Sequence, residues 1–284
     1  MACPAADIFR RGADILRNDS RRTGNVVTVA APCEIMLTGD LHGDRQAMTR
    51  IVQACGIKRS ADKYLLLQEV IHGSIEQTGG TDRSIDLLLR AVRLLIECPE
   101  QVLFVMGNHD LAQATGGEIS KDSCNVCRAF TQGVEYAYAQ QAPEVMEAVN
   151  EFLLAMPLAV RLPNRIFVSH SLPTPQRMEL AGMEILSRQW TQSDLHRGGP
   201  MYEWTWGRSH TEQFAQQLAQ QIDVDLFVIG HRHVEDGVEV IGEHALILNS
   251  DGPRGCVLPM DCSKPYTVSQ AMAAVVAVSA LPAA

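Results

Sequence analysis

The sequence feature that most constrains the fold of this 284-residue chain is a short apolar run that ends abruptly in polar residues. Residues 102–106 are consecutively apolar, and Gly107, Asn108, His109 and Asp110 follow them directly. Such a run predicts a strand that is buried on both faces, and the polar tetrapeptide predicts a loop at its carboxyl end. Ligands of open α/β sheets bind at this end of the strands. An amide oxygen, an imidazole and a carboxylate placed there suit a divalent cation.

Four further predicted strands also end in residues that can bind metals. These strands cover residues 35–38, 64–67, 165–169 and 225–229. Together, the five strand ends deliver Asp40, His42, Glu69, Asn108, His109, His170, His231 and His233. One histidine after a strand is usually a solvated loop residue, but five polar clusters at strand ends are hard to produce by chance. Because helical patterns alternate with the strands, the sequence predicts one α/β domain whose strand ends converge on one edge.

The donor atoms of this edge indicate a pair of metal ions. Two carboxylates, one amide oxygen and several imidazoles fit divalent ions of the Mn, Fe or Zn type better than Ca²⁺ or Mg²⁺, which prefer shells made only of oxygen. Two such ions about 3.5–4 Å apart clamp a phosphoryl group and supply a hydroxide near neutral pH. A ligand shared by both ions needs two oxygens, and Glu69 is the carboxylate left for that position. His109 lies beside a ligand and can protonate a leaving alkoxide.

The composition narrows the classes of partner. The formal net charge is −9 and the longest basic cluster is Arg21-Arg22, so we expect no nucleic-acid surface and no binding to anionic membranes. The first residues lack the pattern of a secretory signal, so we expect a cytoplasmic protein whose eight cysteines are reduced. For Cys124 and Cys127, two thiols on one helix face are favoured over a structural zinc or redox motif.

The chain divides into three predicted segments. Residues 1–30 form an N-terminal helical extension, residues 31–262 form the α/β domain that carries the polar strand ends, and residues 263–284 form a C-terminal tail. The tail is too short and too weakly apolar to span a bilayer, so we expect a docked helix or a frayed end. Residues 172–208 contain proline, glycine and tryptophan with weak periodicity, which is typical of lids and substrate walls. The sequence leaves the oligomeric state open.

The motifs and their order resemble the calcineurin-like metallophosphoesterase superfamily and, more narrowly, its serine/threonine phosphoprotein phosphatases. Residues 39–43 (GDLHG) are similar to that family's GDIHG, and residues 107–109 (GNH) match its next metal-binding loop. Residues 156–170 resemble its LP-IAA…IFCCHGG stretch. Residues 204–207 (WTWG) are similar to FTFG, and residues 231–237 (HRHVEDG) are similar to HQVVEDG.

This resemblance, which spans roughly residues 35–251, implies a fold and a ligand set. The fold is two mixed β-sheets packed as a sandwich with helices outside, which makes residues 31–262 a metallophosphoesterase domain. The first metal would be held by Asp40, His42 and Glu69. The second would be held by Glu69, Asn108, His170 and His231. His233 matches the second histidine of the superfamily's GHxH motif and would bind the first metal, although the phosphoprotein phosphatases lack a histidine there.

One motif departs from the family. Where the family has GDxVDRG, residues 68–73 read QEVIHG. The bridging aspartate becomes Glu69, which is one methylene longer. The aspartate that orients the catalytic histidine becomes His72, whose imidazole can either hydrogen-bond His109 or replace it as the acid. The phosphate-binding arginine of this motif becomes Gly73.

Three arginines are candidates for binding the phosphate. Arg83 follows a glycine-containing insertion and can fold back to replace the missing arginine, or it can simply begin a helix in solvent. The family's other phosphate clamp lies shortly before FTFG, where Arg197 fits by its order and Arg208 fits by its closeness to residues 204–207. We favour Arg208, because a guanidinium beside the metals can contact a phosphate with two hydrogen bonds. A surface arginine without a function is the alternative for both.

The sequence therefore predicts a metal-dependent phosphoesterase that hydrolyses phosphomonoesters, with phosphorylated Ser or Thr of a protein as one candidate substrate. The alternative enzyme is a small-molecule or nucleotide phosphatase or phosphodiesterase, in which residues 172–208 form a pocket. A catalytically impaired, phosphatase-like binding protein is a third hypothesis, because residues 68–73 diverge. Asn108 and four histidines argue against it, since a site without chemistry has no physical need for them.

Overall fold

The computed structural model describes residues 3–74, 81–121 and 124–282. Its strands are β1 (Arg22–Thr23), β2 (Val26–Thr28), β3 (Glu34–Asp40), β4 (Lys63–Gln68), β5 (Val102–Val105), β6 (Ser120–Lys121), β7 (Cys124–Asn125), β8 (Ala159–Arg161), β9 (Ile166–Ser169), β10 (Leu226–Ile229), β11 (Val238–Ile241), β12 (Ala245–Leu248), β13 (Cys256–Asp261) and β14 (Val276–Ala277). Its helices are α1 (Pro4–Arg17), α2 (Arg45–Cys55), α3 (Ser84–Glu97), α4 (Asn108–Thr115), α5 (Val126–Tyr138), α6 (Ala142–Ala155), α7 (Met178–Ala181), α8 (Pro200–Trp206), α9 (Glu212–Ile222) and α10 (Val268–Ala274).

The strands form two mixed sheets. One has the order β1-β2-β8-β9-β10-β12-β11, and the other has the order β14-β13-β3-β4-β5. In the first sheet β10 runs parallel to β9 and β12, and in the second β4 runs parallel to β3 and β5. The sheets meet at one edge, where Asp40 at the end of β3 forms a parallel bridge with Asn249 after β12. The carboxyl ends of both sets of parallel strands therefore lie side by side.

The alternation of apolar side chains explains the layers. On β4, Leu66 packs into the cluster between the sheets, whereas Leu65 and Leu67 face the helices on the outer side. The same inner cluster contains Val168 of β9 and Leu246 of β12 from the opposite sheet. Each sheet is thus covered on both faces, which requires apolar runs rather than simple alternation. The predicted sandwich of mixed sheets flanked by helices is confirmed.

Local signals place the helix next to the site correctly. Asp44 accepts a hydrogen bond from the backbone N–H of Ala47 and caps α2, and Gly56 ends that helix at φ 61°. The tail is docked in its described part, because α10 packs on the second sheet and β14 pairs with β13. Within the described ranges, every helix is too short or too polar to cross a bilayer.

Two local expectations differ from the structure. Helix α1 ends at Arg17, and the two-stranded β1–β2 hairpin follows it instead of further helix. Cys124 lies in β7 and Cys127 lies in the first turn of α5, so the two thiols do not share a helix face. Asn125 between them caps α5 by accepting from the backbone N–H of Arg128, and this capping signal overrides the helical pattern. The three-segment division of the chain stays a prediction.

The packing between the sheets yields a stability prediction. Leu66 is completely buried, so Leu66→Ala leaves a cavity and is expected to lower the free energy of unfolding by about 2–5 kcal/mol. Leu180→Ala is the matched control, because Leu180 is 44% exposed and its truncation should change the stability by less than about 0.5 kcal/mol. Urea unfolding measures both values. Equal stabilities of the two variants would show that Leu66 does not lie in a packed core.

Candidate metal centre

Five strand ends place their polar residues at the edge where the sheets meet. Asp40 ends β3, and Glu69 follows β4 directly. Asn108 follows β5 and begins α4, His170 follows β9, and His231 lies two residues beyond β10. The structure therefore brings together residues that are far apart in the chain. Asp40 and His231 are 191 positions apart, and the backbone N–H of His231 donates a hydrogen bond to the carboxylate of Asp40.

The carboxylate of Glu69 lies in the middle of this group. Its Oε1 accepts a hydrogen bond from the backbone N–H of His109 at 2.7 Å and lies 3.3 Å from Nε2 of His170. Its Oε2 lies 3.6 Å from Nε2 of His42. The two oxygens of one buried carboxylate thus face two different histidines. This is the geometry that a ligand shared by two ions requires.

The atoms around His170 have the spacing of a single coordination shell. Its Nε2 lies 2.9 Å from Oδ1 of Asn108, 3.1 Å from Nδ1 of His231 and 3.3 Å from Oε1 of Glu69. Atoms that share one cation at about 2.1 Å lie about 3–3.4 Å from one another. The buried Nδ2 of Asn108 has no hydrogen-bond partner among the described residues. Hydrogen bonding alone therefore does not explain why this amide is buried here. The donor set therefore fits a divalent metal ion.

The described residues contain two groups of three potential metal ligands. Potential ligand atoms of His42, Glu69 and His109 lie within 4.8 Å of one another, as do those of Asp40, Glu69 and His170. Glu69 belongs to both groups. Nδ1 of His42 is held by the backbone carbonyl of Ile71 at 3.2 Å, which directs the other ring nitrogen toward Glu69.

Protonation states in the site favour metal binding. Burial acts to raise the pKa of Asp40, but the neighbouring His170, His42 and His231 outweigh it and hold that pKa well below its usual range. Burial, followed by the proximity of His170 and Arg208, lowers the pKa of His231 well below its usual value. Asp40 is therefore ionised and His231 is neutral near pH 7, which are the charge states that bind metals. Binding through Nδ1 of His231 would also move its ring hydrogen to Nε2 and release the hydrogen bond from Arg208.

Two glycines leave room for the carboxylates. A Cβ on Gly107 would lie 2.2 Å from Oε1 of Glu69, and a Cβ on Gly230 would lie 2.4 Å from Oδ1 of Asp40. Each glycine precedes a predicted ligand, Asn108 in one case and His231 in the other. The glycine in each motif is thus explained by the close approach of a ligand from a different strand.

The backbone of the site is strained. Positive φ angles occur at His42 (39°), Glu69 (37°), His72 (63°) and His231 (67°). They are four of the seven non-glycine residues with positive φ in the described part of the chain. Such angles cost energy outside glycine and are concentrated at functional sites, where the surrounding contacts hold them.

The imidazoles of His72 and His109 form a direct contact beside the cluster. Their Nδ1 atoms are 2.7 Å apart, so one ring donates a hydrogen bond to the other. The sequence predicts that His72 either hydrogen-bonds His109 or replaces it as the acid, and this distance supports the hydrogen bond. His109 is also 4.7 Å from the ring of His42, measured between centroids. It therefore lies between the ligand cluster and His72.

The other predicted site residues lie outside the ligand cluster, and one of them contacts it. Arg208 donates from Nε to Nε2 of His231 at 3.0 Å. Arg197 is exposed and lines a cavity of about 360 Å³ beside α4 and α8, and Arg83 pairs with Asp86 at 2.7 Å. His233 is exposed and belongs to neither ligand group found among the described residues, so its role as a ligand stays a prediction.

Sequence reasoning missed residues that support the site. Oε1 of Gln113 lies 3.0 Å from Nε2 of His72. Asn249 accepts from the backbone N–H of Val234, which holds the loop after β10, and Ser250 accepts from the N–H of Gly39. The one signal for Gln113 is its position four residues after His109, which places both on one face of α4. The other two follow the apolar run 245–248, and this strand-end position is the one signal that could have indicated them.

A two-sheet α/β sandwich with such a donor set at its edge is the architecture of a metallophosphoesterase. The chain belongs to the calcineurin-like phosphoesterase family, whose model matches residues 34–235. Proteins of this family use a dinuclear centre of divalent metals. The resemblance that the motifs indicated is confirmed.

Known relatives agree with this assignment. The chain is 22% identical over 232 residues to serine/threonine-protein phosphatase C23G10.1 of Caenorhabditis elegans. That match covers 77% of this chain but only 47% of the relative, so the chain spans about half of its length.

Solved structures show the same fold. A protein serine/threonine phosphatase from Saccharomyces cerevisiae with similarity to human phosphatase PP5 has a TM-score of 0.68 at 16% identity, over 90% of this chain and 82% of that one. A cold-active protein-tyrosine phosphatase of a psychrophilic Shewanella has a TM-score of 0.58 at 12% identity, over 87% and 79% of the two chains. At these identities the similarity concerns the fold alone.

Metal-binding measurements test whether Glu69 is a ligand of two ions. Wild-type protein is expected to bind two Mn²⁺ per chain, and Glu69→Gln is expected to bind both ions roughly tenfold more weakly or worse, because it lacks the charge that offsets two cations. Calorimetric titration measures both affinities. Glu97→Gln is the matched control, since Glu97 is exposed and pairs with Lys58. Unchanged binding of two ions by Glu69→Gln would contradict a shared ligand at this position.

Proposed function

We propose that this chain is a metal-dependent phosphoesterase that hydrolyses phosphomonoesters. The observation that carries the proposal is the position of Glu69, whose two carboxylate oxygens face His170 and His42. Two divalent ions of the Mn, Fe or Zn type, when bound, supply a hydroxide and polarise the phosphoryl group. The remaining roles belong to the side chains of this protein.

The proposed ligands divide between two positions. Asp40, His42 and Glu69 would hold one ion. Glu69, Asn108, His170 and His231 would hold the other, which is supported by the spacing of their atoms around Nε2 of His170. His233 is proposed as a further ligand of the first ion, on the resemblance alone. The choice among Mn, Fe and Zn follows from the mixed oxygen and nitrogen donors and belongs to this proposal.

His109 is proposed as the acid that protonates the leaving alkoxide. Its backbone is fixed by the hydrogen bond to Glu69, and its ring lies between His42 and His72. His72 is proposed to orient His109 through the contact between their Nδ1 atoms. His72 as the acid in place of His109 is the alternative that kinetics must separate.

Among the arginines, Arg208 has the best support as the phosphate clamp. Its Nε contacts His231, so the exposed guanidinium lies directly beside a proposed ligand. A planar guanidinium can then direct its terminal nitrogens to two phosphate oxygens. Arg197 lies at the neighbouring cavity and is proposed to contact a more distant part of the substrate. Arg83 has the weakest support, because its ion pair with Asp86 engages it elsewhere.

The substrate is proposed to be a phosphorylated Ser or Thr of a protein. The relative from C. elegans, a serine/threonine-protein phosphatase, supports this class. A small phosphoester or a nucleotide is the second candidate, and one observation favours it. Residues 172–208 contribute Tyr202 and Trp206 to the cavity of about 360 Å³, and the ring of Trp206 is 6.4 Å from that of His231.

A cytoplasmic location is also part of the proposal and is supported by the eight free cysteines.

Turnover by the purified protein tests the function. Manganese-loaded protein is expected to hydrolyse p-nitrophenyl phosphate, and Glu69→Ala is expected to lose this activity because the ions lose their common ligand. Comparing a panel of phosphopeptides with a panel of nucleotides then identifies the substrate class. A protein that binds at most one metal and shows no turnover with Mn²⁺, Fe²⁺ or Zn²⁺ would be a phosphatase-like binding protein, and the proposal would be wrong.

The dependence of the rate on the leaving group tests the acid. His109→Asn is expected to lower kcat for phenyl phosphate by about 10²-fold or more, because the phenolate then leaves without a proton. The loss should be much smaller for p-nitrophenyl phosphate, whose leaving group needs little protonation. The control is His244→Asn, since His244 lies at the surface and contacts the carbonyl of Asp225. Equal rates of His109→Asn and wild type on phenyl phosphate would transfer the role to His72.

A further inference from the structure

A chain of hydrogen bonds leads from α5 through α4 to His109. The hydroxyl of Thr131 lies 3.4 Å from Nε2 of Gln113, and Oε1 of the same amide lies 3.0 Å from Nε2 of His72. The Nδ1 of His72 then lies 2.7 Å from Nδ1 of His109. His72 and Gln113 are buried, and Thr131 is half-buried. The arrangement connects a proposed catalytic group to two residues that no other step of the proposed function uses.

The direction of this chain follows from the hydrogens that each group has. Thr131 donates its single hydroxyl hydrogen to the carbonyl of Cys127 at 3.0 Å, so its oxygen accepts from Gln113. The amide nitrogen of Gln113 therefore faces Thr131, and the amide oxygen faces His72. Because an amide oxygen only accepts, Nε2 of His72 carries a hydrogen.

The protonation of the second imidazole follows from the first. A neutral imidazole has one N–H, so His72 with a hydrogen on Nε2 has an accepting lone pair on Nδ1. Nδ1 of His109, 2.7 Å away, must then carry the hydrogen and donate it. Nε2, the other ring nitrogen of His109, is then the atom that would carry the proton for the leaving alkoxide.

The ring of His72 is fixed in place by its surroundings. His109 and Gln113 lie four residues apart on one face of α4, and His72 lies between their side chains. The ring of Phe130 meets that of His72 edge to face with centroids 5.7 Å apart. The backbone N–H of His72 donates to the hydroxyl of Ser84 at 3.0 Å, which holds the residue at its positive φ.

We propose that Gln113 and Thr131 are positioning residues that fix the tautomers of His72 and His109, and that this relay replaces the aspartate found at the position of His72 in the phosphoprotein phosphatases. A carboxylate accepts a hydrogen bond in any case, because its oxygens carry no hydrogen when ionised. An imidazole accepts at Nδ1 only when Nε2 holds the hydrogen. An additional acceptor behind the imidazole is therefore required, and Gln113 supplies it.

The relay has a defined part in the proposed reaction. In the protonated form of His109, the proton on Nε2 passes to the oxygen of the leaving alkoxide as the phosphorus–oxygen bond breaks. His109 returns to the neutral form with its hydrogen on Nδ1, which stays bonded to His72. With the opposite tautomer of His72, its Nδ1 would donate to Nδ1 of His109, and the unprotonated Nε2 of His72 would face the amide oxygen of Gln113 at 3.0 Å with no hydrogen between them.

The chemical meaning of this inference rests on the proposed function, but the tautomers can be measured without turnover. In protein labelled with ¹⁵N at histidine and loaded with Zn²⁺, long-range ¹H–¹⁵N correlation spectra report which ring nitrogen of each histidine is protonated. Signals are assigned with His72→Asn and His109→Asn. The expected result is a hydrogen on Nε2 of His72 and on Nδ1 of His109. A hydrogen on Nδ1 of His72 would overturn the inference, whatever the enzymatic activity.

Isosteric variants test the role of the relay in the reaction. Gln113→Leu removes the acceptor, and Thr131→Val removes the hydroxyl that orients the amide while keeping the shape. Both are expected to lower kcat for phenyl phosphate roughly tenfold, with KM, metal content and the rate on p-nitrophenyl phosphate nearly unchanged. Thr131→Ser keeps the hydroxyl, so it should recover the rate on phenyl phosphate that Thr131→Val loses.

One control variant and two possible outcomes distinguish a failure of this inference from a failure of the proposed function. Gln217→Leu makes the same change at an exposed position of α9 and should behave as wild type. If wild type turns over phenyl phosphate and Gln113→Leu does so equally well, the relay has no part in proton transfer and the inference is wrong. If wild type has no turnover at all, the proposed function fails, and the tautomer measurement alone decides whether Gln113 and Thr131 set the protonation of His72.

Discussion

The structure depends on a carboxylate that is buried among histidines. Glu69 is 2% exposed, and an ionised carboxyl group in such a place is costly unless positive charge or hydrogen bonds compensate it. Its contacts include one backbone N–H, from His109, and the nitrogens of His170 and His42. A pair of cations between these donors would satisfy the carboxylate and the imidazole nitrogens together. The two sheets, the glycines and the strained loops all serve to bring these groups to one point.

The departure from the family at residues 68–73 has a structural consequence. Glu69 is longer than the aspartate it replaces, and its carboxylate lies over Gly107, where a Cβ would be only 2.2 Å from Oε1. The longer side chain is therefore accommodated by the missing Cβ of Gly107, next to a backbone strained at φ 37°. The replacement at His72 is accommodated differently, through the side chain of Gln113. Glu69 and His72 therefore both have polar partners, the backbone N–H of His109 in one case and Gln113 in the other.

Patterns that are local in the sequence predicted most of the fold and the edge at which the site lies. The apolar runs identified the buried strands, and the polar residues after them identified the ends that meet, because the carboxyl ends of parallel strands share an edge. The Asp44 cap and Gly56 are read directly from residue type. The contacts of Gln113, Asn249 and Thr131 could not be predicted, since they depend on distances between elements that have no signature in the local sequence. The contact of Arg83 is local by contrast, because its partner Asp86 lies three residues further on in α3, as the alternative of a helix-start residue allows.

The most direct test of the account is the position of the ions relative to Glu69. Crystals of manganese-loaded protein, measured at wavelengths above and below the Mn absorption edge, locate the ions independently of the ligand assignment. The account predicts two anomalous peaks about 3.5–4 Å apart, one near each carboxylate oxygen of Glu69, with Asp40 and His42 at one ion and Asn108, His170 and His231 at the other. A single peak, or two peaks that do not share Glu69, would contradict it.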